Sequence, residues 1–235
     1  MKQSKPLTIS VIIPVLNEEA YIGTLLSYIQ ENSSAKHIKE IIVVDGGSTD
    51  ATAAIASDYG ARVITSSKGR AKQLNTGAKH AQGGVLYFLH VDTFPPKDFD
   101  QTILSAVNEG HKAGCFQMKF DSKSRFLRFF AWFTKVNHTL CRGGDQSLFI
   151  TRAFFQATGG YNEAYQIFED NELIIRIYKM TPFKILPRYV QTSARRYEKN
   201  GVVRLQYHFG VIHFKNCIGA GPEQLYAYYK RHVWS

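Results

Sequence analysis

Near the start of the chain, two short and strongly apolar segments each run directly into a polar turn. The first segment covers residues 9–14 and the second residues 41–44, and the polar side chains that follow them are those of Asn17, Glu18, Glu19 and Asp45. Short runs rich in β-branched residues, separated by a helix-length segment, are typical of neighbouring parallel strands. Because ligands bind at the carboxyl ends of strands in an open α/β sheet, we expect these turns to lie at a binding edge.

The chemistry of these turns limits the ligands that they can hold. The turn after the first strand lacks the Gly-x-Gly-x-x-Gly and Gly-Lys-Ser/Thr spacings, so a glycine-rich cradle for phosphate is not expected. Carboxylates and amides stand there instead. Such groups accept hydrogen bonds from a ribose or a base, or help to hold a divalent cation, and both uses stay open.

Strands and helices are predicted to alternate along the first part of the chain. Two further strands are expected at 61–64 and 85–89, with helices at 18–32, 49–60 and 69–83. This order is the doubly wound pattern of a nucleotide-binding half. Beyond about residue 95 the regularity is lost, and the elements expected there are helices near 99–109, 125–133 and 171–179 and strands near 114–120, 147–150 and 183–186.

The length and composition favour a single domain with a full core. The chain has 235 residues, 44% of them hydrophobic, and no linker rich in Pro, Gly or Ser. No apolar run reaches the roughly 18 residues of a membrane-spanning helix, and residues 1–5 are expected to lead into a strand rather than a signal peptide. The expected location is therefore the cytoplasm. Three widely spaced cysteines are expected to be free thiols, namely Cys115, Cys141 and Cys217.

The positive charge of the chain is concentrated in its second half. Residues 1–120 hold 12 Lys and Arg against 11 Asp and Glu, whereas residues 121–235 hold 17 against 8. The second half is expected to face an anionic partner, and a diphosphate leaving group, a phosphorylated acceptor and an anionic membrane surface are the options. A solvated basic surface would also explain most of the excess. No recognition motif for nucleic acid is present, so nucleic acid is not an expected partner.

Several motifs, in a fixed order, resemble those of one enzyme family. Pro14, Asn17 and Glu18 form a Pro-x-x-Asn-Glu motif, and Asp45 opens an Asp-Gly-Gly-Ser-Thr-Asp motif. Their order and spacing resemble the opening of the family 2 glycosyltransferases, whose second motif usually has one Gly fewer. A Ser-Ala-Arg-Arg-Tyr segment at 193–197 resembles a small bacterial branch of that family, often described as selenodomain-associated transferases. The resemblance covers nearly the whole chain.

The resemblance implies a GT-A fold, which is a Rossmann-like α/β/α sandwich with a mostly parallel central sheet. It also implies transfer of a sugar from a nucleotide-diphosphate sugar to an acceptor hydroxyl, with inversion and with help from a divalent cation, Mg or Mn. Residues 1–95 would form the nucleotide-sugar-binding half, and residues 96–235 the acceptor-binding half, of one domain. The alternatives are a nucleotidyltransferase and a non-catalytic nucleotide-sugar-binding module, the second because position 90 departs from the family pattern.

By the same resemblance, residues at the strand ends would bind the donor. His90-Val91-Asp92 stands where the family has Asp-x-Asp, so Asp92 would bind the metal ion, while His90 departs from the pattern but keeps an imidazole that ligates or hydrogen-bonds. A turn-capping role for Asp92 is the alternative. Arg70, at a Gly-led helix start, would contact the pyrophosphate unless it is an ordinary surface charge. The full predicted donor set is Pro14, Asn17, Glu19, Asp45, Arg70, His90 and Asp92.

A second set of residues is expected on the acceptor and phosphate side. Glu169-Asp170 resembles the family's Glu-Asp motif, in which the aspartate removes the proton from the attacking hydroxyl, so Asp170 is the predicted catalytic base. Both acids are otherwise explained as first-turn residues favoured by a helix dipole. Asp145 belongs to a Gly-x-Asp pattern that the family places near donor and acceptor. Arg195 and Arg196 would offer charged forks to the leaving diphosphate unless they belong to a basic loop.

A helix-length segment at 125–133 is dense in aromatic residues. The apolar residues expected to share one face of this helix, beside two arginines, are Phe126, Leu127, Phe130 and Phe133. Such a helix is suited to the inner face of an anionic membrane, where it would give access to a lipid-linked acceptor. The preferred interpretation is instead that these aromatic residues line the core on the acceptor side.

Overall fold

Within residues 6–233, which the computed structural model describes, eight strands form one mixed sheet. In chain order they are β1 (Ile9–Val15), β2 (Ile38–Asp45), β3 (Arg62–Thr65), β4 (Val85–Phe88), β5 (Thr93–Phe94), β6 (Ala113–Phe120), β7 (Leu148–Thr151) and β8 (Lys184–Thr192). Their order across the sheet is β3-β2-β1-β4-β7-β6-β8-β5. Strands β1 to β4 are mutually parallel and β6 is parallel to β8, whereas β7 and β5 pair antiparallel with their neighbours. The expected α/β sheet is confirmed.

Ten α-helices accompany the sheet in this described part of the chain. They are α1 (Glu19–Glu31), α2 (Thr52–Asp58), α3 (Arg70–His80), α4 (Phe99–Asn108), α5 (Arg125–Trp132), α6 (Arg152–Ala157), α7 (Glu169–Met180), α8 (Arg195–Asn200), α9 (Val202–Cys217) and α10 (Pro222–His232). The predicted helices all occur, although α7 begins two residues earlier than expected. Helices α6 and α8 to α10 are additional to the sequence-based expectations.

Helices cover both faces of the sheet because side chains alternate between the faces along each strand. On β1, Val11 packs into a buried cluster with Leu25 of α1 and Phe99 of α4. The next residue, Ile12, points to the other face and packs in a second buried cluster with Leu74 of α3. The expected α/β/α sandwich is confirmed. Parallel pairing of β1 with β2 and β4 brings the carboxyl ends of these strands, and the polar turns that follow them, to one edge.

A buried glutamine connects α3 to the carboxyl ends of β1 and β2. The Nε2 of Gln73 donates hydrogen bonds to the carbonyl oxygens of Val15 (2.8 Å) and Val44 (2.9 Å). We expect Gln73→Leu to lower the free energy of unfolding, measured by urea denaturation, by about 1–3 kcal/mol, because it removes two buried hydrogen bonds. Gln30→Leu is the matched control, because Gln30 donates to an exposed carbonyl and its loss should cost less than about 0.5 kcal/mol. Equal losses in the two variants would contradict this prediction.

The aromatic segment does not line the core as the preferred interpretation expects. In α5, Leu127 and Ala131 are buried, whereas Phe129 and Trp132 are 58% and 54% exposed. Of the residues predicted to share one face, Leu127 is buried whereas Phe126 is 37% exposed, so the predicted shared face is wrong. The physical reason is that residues of α8 and α9 already fill the small core beneath α5, which leaves room only for the side of the helix that carries Leu127.

Three further expectations concern the whole chain. The cysteines are free thiols, with Cys115 buried, Cys141 half-buried and Cys217 exposed. From residue 6 to residue 233, no helix combines the length and apolarity needed to cross a membrane. Residues 1–5, expected to lead into the first strand, lie outside the described residues, and β1 begins at Ile9.

Candidate active site

The polar turns that follow β1 and β2 are joined to each other by hydrogen bonds. Asn17 Oδ1 accepts a hydrogen bond from the backbone N–H of Thr49 (2.8 Å), and the backbone N–H of Asn17 donates to Ser48 Oγ (2.9 Å). Asn17 has a left-handed backbone with φ of 54°, a conformation that asparagine tolerates better than most side chains. The structure thus brings the two sequence motifs into direct contact.

Two predicted donor-binding carboxylates take part in shaping these turns. The buried carboxylate of Asp45 accepts hydrogen bonds from the backbone N–H and the hydroxyl of Ser48. Glu19 Oε2 accepts a hydrogen bond from the backbone N–H of Ala51 (3.0 Å). Donor binding by Asp45, Glu19 and Asn17 therefore stays a prediction, while their role in joining the turns is visible in the structure.

Arg195 connects the first turn with the end of the sheet next to β4. Its Nη1 and Nη2 atoms donate to the two carboxylate oxygens of Glu18, each at 3.0 Å, and its Nε donates to Asp92 Oδ2 at 3.1 Å. The guanidinium also lies over Tyr21, 4.3 Å from the ring centroid. Glu18 is thus a residue of the site, although the sequence patterns place it only in the acidic turn and not in the donor set.

His90 lies between two carboxylates. Its Nε2 is 3.7 Å from Asp170 Oδ2, and its Nδ1 is 3.8 Å from Asp145 Oδ1. Burial and the nearby Arg70 act to lower the pKa of His90, but the two carboxylates outweigh them and the pKa is raised. Burial acts to raise the pKa of Asp170, but His90 and Arg70 outweigh it and the pKa is lowered. Asp170 is therefore an ionised carboxylate at neutral pH.

Glu169 and Asp170 both stand in the first turn of α7, as the helix-dipole interpretation expects, and both also take part in a network of charges. Arg70 Nη1 donates to Glu169 Oε1 at 3.2 Å. Burial raises the pKa of Glu169 in spite of Arg70, and the adjacent Asp170 adds to the increase. Burial together with the charge of Asp170 also raises the pKa of Tyr161, a residue that no sequence pattern indicated. The Tyr161 hydroxyl therefore keeps its proton beside Asp170.

The loop before β7 approaches Asp170 so closely that only glycine fits at position 144. A Cβ there would overlap Asp170 Oδ2 and lie 3.1 Å from His90 Cε1. We expect Gly144→Ala to displace Asp170 and to lower the kcat of the reaction proposed below by roughly tenfold to a hundredfold, because a shift of about 1 Å has effects of that size. Gly143→Ala is the matched control, since a Cβ at 143 meets nothing within 4 Å. Equal rates in the two variants, with unchanged thermal stability, would contradict the expectation.

A cavity of about 500 Å³ opens beside the carboxyl ends of β1 and β4. Its volume falls within the usual range for ligand sites, roughly 300–1,000 Å³. Asp170 and Glu169 lie behind its wall, and the turn residues Asn17, Glu19 and Asp45 lie outside it. A second cavity of about 660 Å³ contains none of the predicted site residues. The predicted residues on the wall of the first cavity are Pro14, Arg70, His90, Asp92, Asp145, Arg195 and Arg196.

Arg196 faces the C-terminal helices rather than Asp92. Its guanidinium donates a hydrogen bond to the hydroxyl of Tyr229 in α10 and lies 5.1 Å from the ring centroid of Phe209 in α9. Sequence reasoning did not select either aromatic residue, although both line the cavity. The spacing of Leu205, Phe209 and Ile212 indicates a helical face, but nothing in the spacing shows what that face covers.

The surroundings of Asp92 suit a divalent cation. Among residues 6–233, no group of three or more His, Cys, Asp or Glu side chains is placed to hold a metal ion by itself. Asp92 and Glu18 nevertheless converge on one cation, the guanidinium of Arg195, and a metal ion would take the place of that group between them. Mg²⁺ commonly takes one or two carboxylates and completes its shell with water and substrate phosphates. The carboxylates of Asp92 and Glu18 therefore fit a metal ion that arrives with a diphosphate.

The fold and this site define a GT-A type of α/β protein, in which acidic strand ends open into a cavity with carboxylates and arginines on its wall. The model of the family described as glycosyl transferase family 2 matches residues 10–159. The chain belongs to this family.

Comparisons with individual proteins agree with the assignment. "Probable glycosyltransferase YdaM" of Bacillus subtilis (strain 168) is 28% identical over 197 residues, which cover 73% of this chain and 47% of YdaM. The structure of Staphylococcus aureus TarS 1-349 in complex with UDP-GlcNAc has a TM-score of 0.65 and 20% identity, covering 80% of this chain and 58% of that one. Glucosyl-3-phosphoglycerate synthase from Mycobacterium tuberculosis, in complex with Mn²⁺, UDP and glucosyl-3-phosphoglycerate, has a TM-score of 0.59 and 20% identity, covering 80% and 70%. The chain thus spans about half the length of YdaM, and the structures show that it shares the GT-A fold.

Proposed function

We propose that this protein transfers a sugar from a nucleotide-diphosphate sugar to an acceptor hydroxyl. The observation that carries the proposal is the cavity beside β1 and β4, where Asp92, Arg70, His90 and Asp145 line the wall and Asp170 lies directly behind. Sugar transfer needs a site for a cation, positive charge for a leaving phosphate and a base for the attacking hydroxyl. Asp92 would hold the cation, Arg70 would face the leaving phosphate, and Asp170 would accept the proton of the hydroxyl.

Sugars linked to UDP are the donors to test first. The TarS structure contains UDP-GlcNAc, and the mycobacterial synthase structure contains UDP. Because this chain has the same fold, these ligands support a uridine nucleotide in its donor. Asn17, Glu19 and Asp45 would hold the nucleoside beside Pro14. A carboxylate has about four lone-pair positions, so Asp45 has acceptor capacity beyond its bonds to Ser48.

Asp92, with Glu18 near it, would hold a divalent cation, Mg or Mn, together with the donor diphosphate. When bound, such an ion neutralises negative charge on the departing diphosphate. The structure of the mycobacterial synthase contains Mn²⁺ with UDP, which supports this assignment. Arg195 and Arg70 present planar guanidinium groups on the same cavity wall, where they would pair with phosphate oxygens. Arg196 would contribute positive charge from the opposite, C-terminal side.

Asp170 would act as the general base. The acceptor oxygen attacks the anomeric carbon while the bond from that carbon to the diphosphate breaks, and the hydroxyl proton passes to Asp170. One displacement of this kind inverts the anomeric configuration. Asp170 is available for the role because its lowered pKa keeps the carboxylate ionised, whereas Glu169 has a raised pKa and is bound to Arg70. The acceptor hydroxyl would reach Asp170 beside His90 and Gly144.

The acceptor would enter from the side of the cavity that the C-terminal helices close. Arg196, Tyr197, Phe209 and Tyr229 line this side, so it combines positive charge with aromatic surface. Such a wall suits a hydroxyl compound with an anionic or lipid-linked part, encountered in the cytoplasm or at the inner face of the membrane.

Thermal unfolding with UDP- and GDP-sugars, each with and without Mn²⁺, tests the proposal together with an assay for released nucleotide. We expect a UDP-sugar with Mn²⁺ to raise the unfolding temperature, and slow release of UDP to follow. Release of pyrophosphate from a nucleoside triphosphate would instead indicate a nucleotidyltransferase. A stabilised protein that never releases UDP, even with a wide set of acceptors, would be a non-catalytic binding module. No stabilisation by any nucleotide sugar would overturn the proposal.

A further inference from the structure

Helix α9 exposes four large apolar side chains to solvent along one side. Val203, Tyr207, Phe214 and Ile218 follow one another at intervals of four, seven and four residues, and each is between 64% and 67% exposed. At 3.6 residues per turn these positions fall on one side of the helix, opposite to its buried side. A helix at a protein surface usually turns its apolar side toward the core. The core therefore does not explain these four side chains.

Helix α5 presents a second apolar surface. Phe129 and Trp132 are more than half exposed. Both helices pack on the same small core, to which α5 contributes Leu127 and α9 contributes Leu205. Along α5 and directly after it lies a chain of rings that contact one another, formed by Phe126, Phe129, Phe130, Trp132 and Phe133.

The charged residues on these two segments are all positive. Neither residues 122–144, which contain α5, nor residues 199–222, which contain α9, include an Asp or a Glu. Their exposed cations, none of which forms an ion pair with another described residue, are Lys123, Arg125, Arg128, Lys135, Lys199 and Arg204. We call the exposed apolar residues of α5 and α9, with these cations, the aromatic-basic face.

We propose that the aromatic-basic face binds the surface of a membrane that contains anionic lipids. Aromatic and aliphatic side chains on such a face enter the boundary between headgroups and acyl chains, while Lys and Arg pair with anionic headgroups. Helix α9 also forms part of the active-site cavity through Phe209, so a protein bound by this face holds the acceptor side of its cavity near the membrane. This last step rests on the proposed function and assigns the acceptor to the lipid-linked class.

A second copy of the chain fits this face less well than a membrane. In a symmetric dimer the same patch of each subunit meets its copy. The cations of the two faces would then approach one another with no acidic residue from either segment to pair with them. Charge complementarity therefore favours an anionic surface.

Flotation with lipid vesicles tests the proposal, using phosphatidylcholine alone and phosphatidylcholine mixed with phosphatidylglycerol, at low and at physiological salt. We expect the full chain to float only with the anionic vesicles, and less at the higher salt. Changing Phe129 and Trp132, or Tyr207 and Phe214, to Ser should weaken binding at least about tenfold. The matched control is Met180→Ser, because Met180 is 50% exposed on α7, outside the aromatic-basic face.

Charge reversal provides an independent test on residues that do not affect packing. Arg125→Glu with Arg128→Glu should weaken binding at least about tenfold, because each cation near an anionic surface contributes roughly a fivefold factor. Lys36→Glu with Lys39→Glu makes the same change of charge in the other half of the chain and should leave binding within about threefold.

The outcomes separate the inference from the proposed function. Vesicle binding is measured without a donor, and nucleotide binding is measured without vesicles, so either can fail alone. Failure of the full chain to bind anionic vesicles at both salt concentrations would overturn the inference. Binding that the α5, α9 and charge variants do not change would also overturn it. Dimerisation that depends on Tyr207 and Phe214, without vesicle binding, would assign the face to a second copy instead.

Discussion

Replacing Asp170 by Asn is expected to abolish sugar transfer while donor binding stays within a few-fold of the parent. The amide keeps the shape of the carboxylate but does not accept the hydroxyl proton. General base catalysis typically contributes roughly a hundredfold to ten-thousandfold, so kcat should fall by that factor. The measurement is UDP release with a donor and an acceptor that support turnover by the parent, together with calorimetry of UDP binding.

Glu172→Gln is the matched control for this experiment. Glu172 lies in the same first turn of α7, but its carboxylate pairs with Arg176 at 2.6 Å, whereas that of Asp170 lies 3.7 Å from His90 on the cavity wall. Both variants replace a carboxylate with an amide. If Asp170 acts by accepting the proton, the kcat of the Glu172→Gln variant should stay within about threefold of the parent. Turnover by the Asp170→Asn variant that is as fast as turnover by the Glu172→Gln variant would remove Asp170 from the role of base.

Asp92→Ala is expected to eliminate the part of the nucleotide affinity that depends on Mn²⁺. In the parent we expect Mn²⁺ to tighten UDP binding by about tenfold to a hundredfold, the effect of one to two charge-assisted contacts. Removing Asp92 takes away the carboxylate that lies on the cavity wall and leaves Arg195 paired with Glu18. Calorimetric titration of UDP into protein, with Mn²⁺ and with a chelator, gives both affinities for each variant.

Asp58→Ala controls for the change in net charge, because Asp58 is exposed on α2 and does not line the cavity. Its Mn²⁺ effect should equal that of the parent. If Asp92→Ala retains the same ratio of affinities with and without Mn²⁺, the ion binds elsewhere or is not used.

Much of the candidate site could be predicted from single segments of sequence. Asp92 and His90 follow a buried strand, and Arg70 opens a helix after a glycine, so each position is determined by local pattern. The cavity contains all three. Contacts between distant segments could not be predicted in this way. The pairing of Arg195 with Glu18 joins residues 177 positions apart, and no spacing rule indicates it. The contact of Asp170 with the loop at Gly144 likewise appears only when α7 packs against that loop.

The sequence by itself determined that this chain begins with a doubly wound α/β half with polar groups at the carboxyl ends of its strands. It did so because strand and helix periodicity and turn chemistry are local properties of a few consecutive residues. Tertiary structure alone decided which side of α5 and α9 is buried. An aromatic helix looks the same in sequence whether it enters a core or remains exposed, and the outcome depends on the space that other elements leave. Here Tyr197 and Leu205 fill the small core beneath α5, so Leu127 enters it while Phe129 and Trp132 remain at the surface.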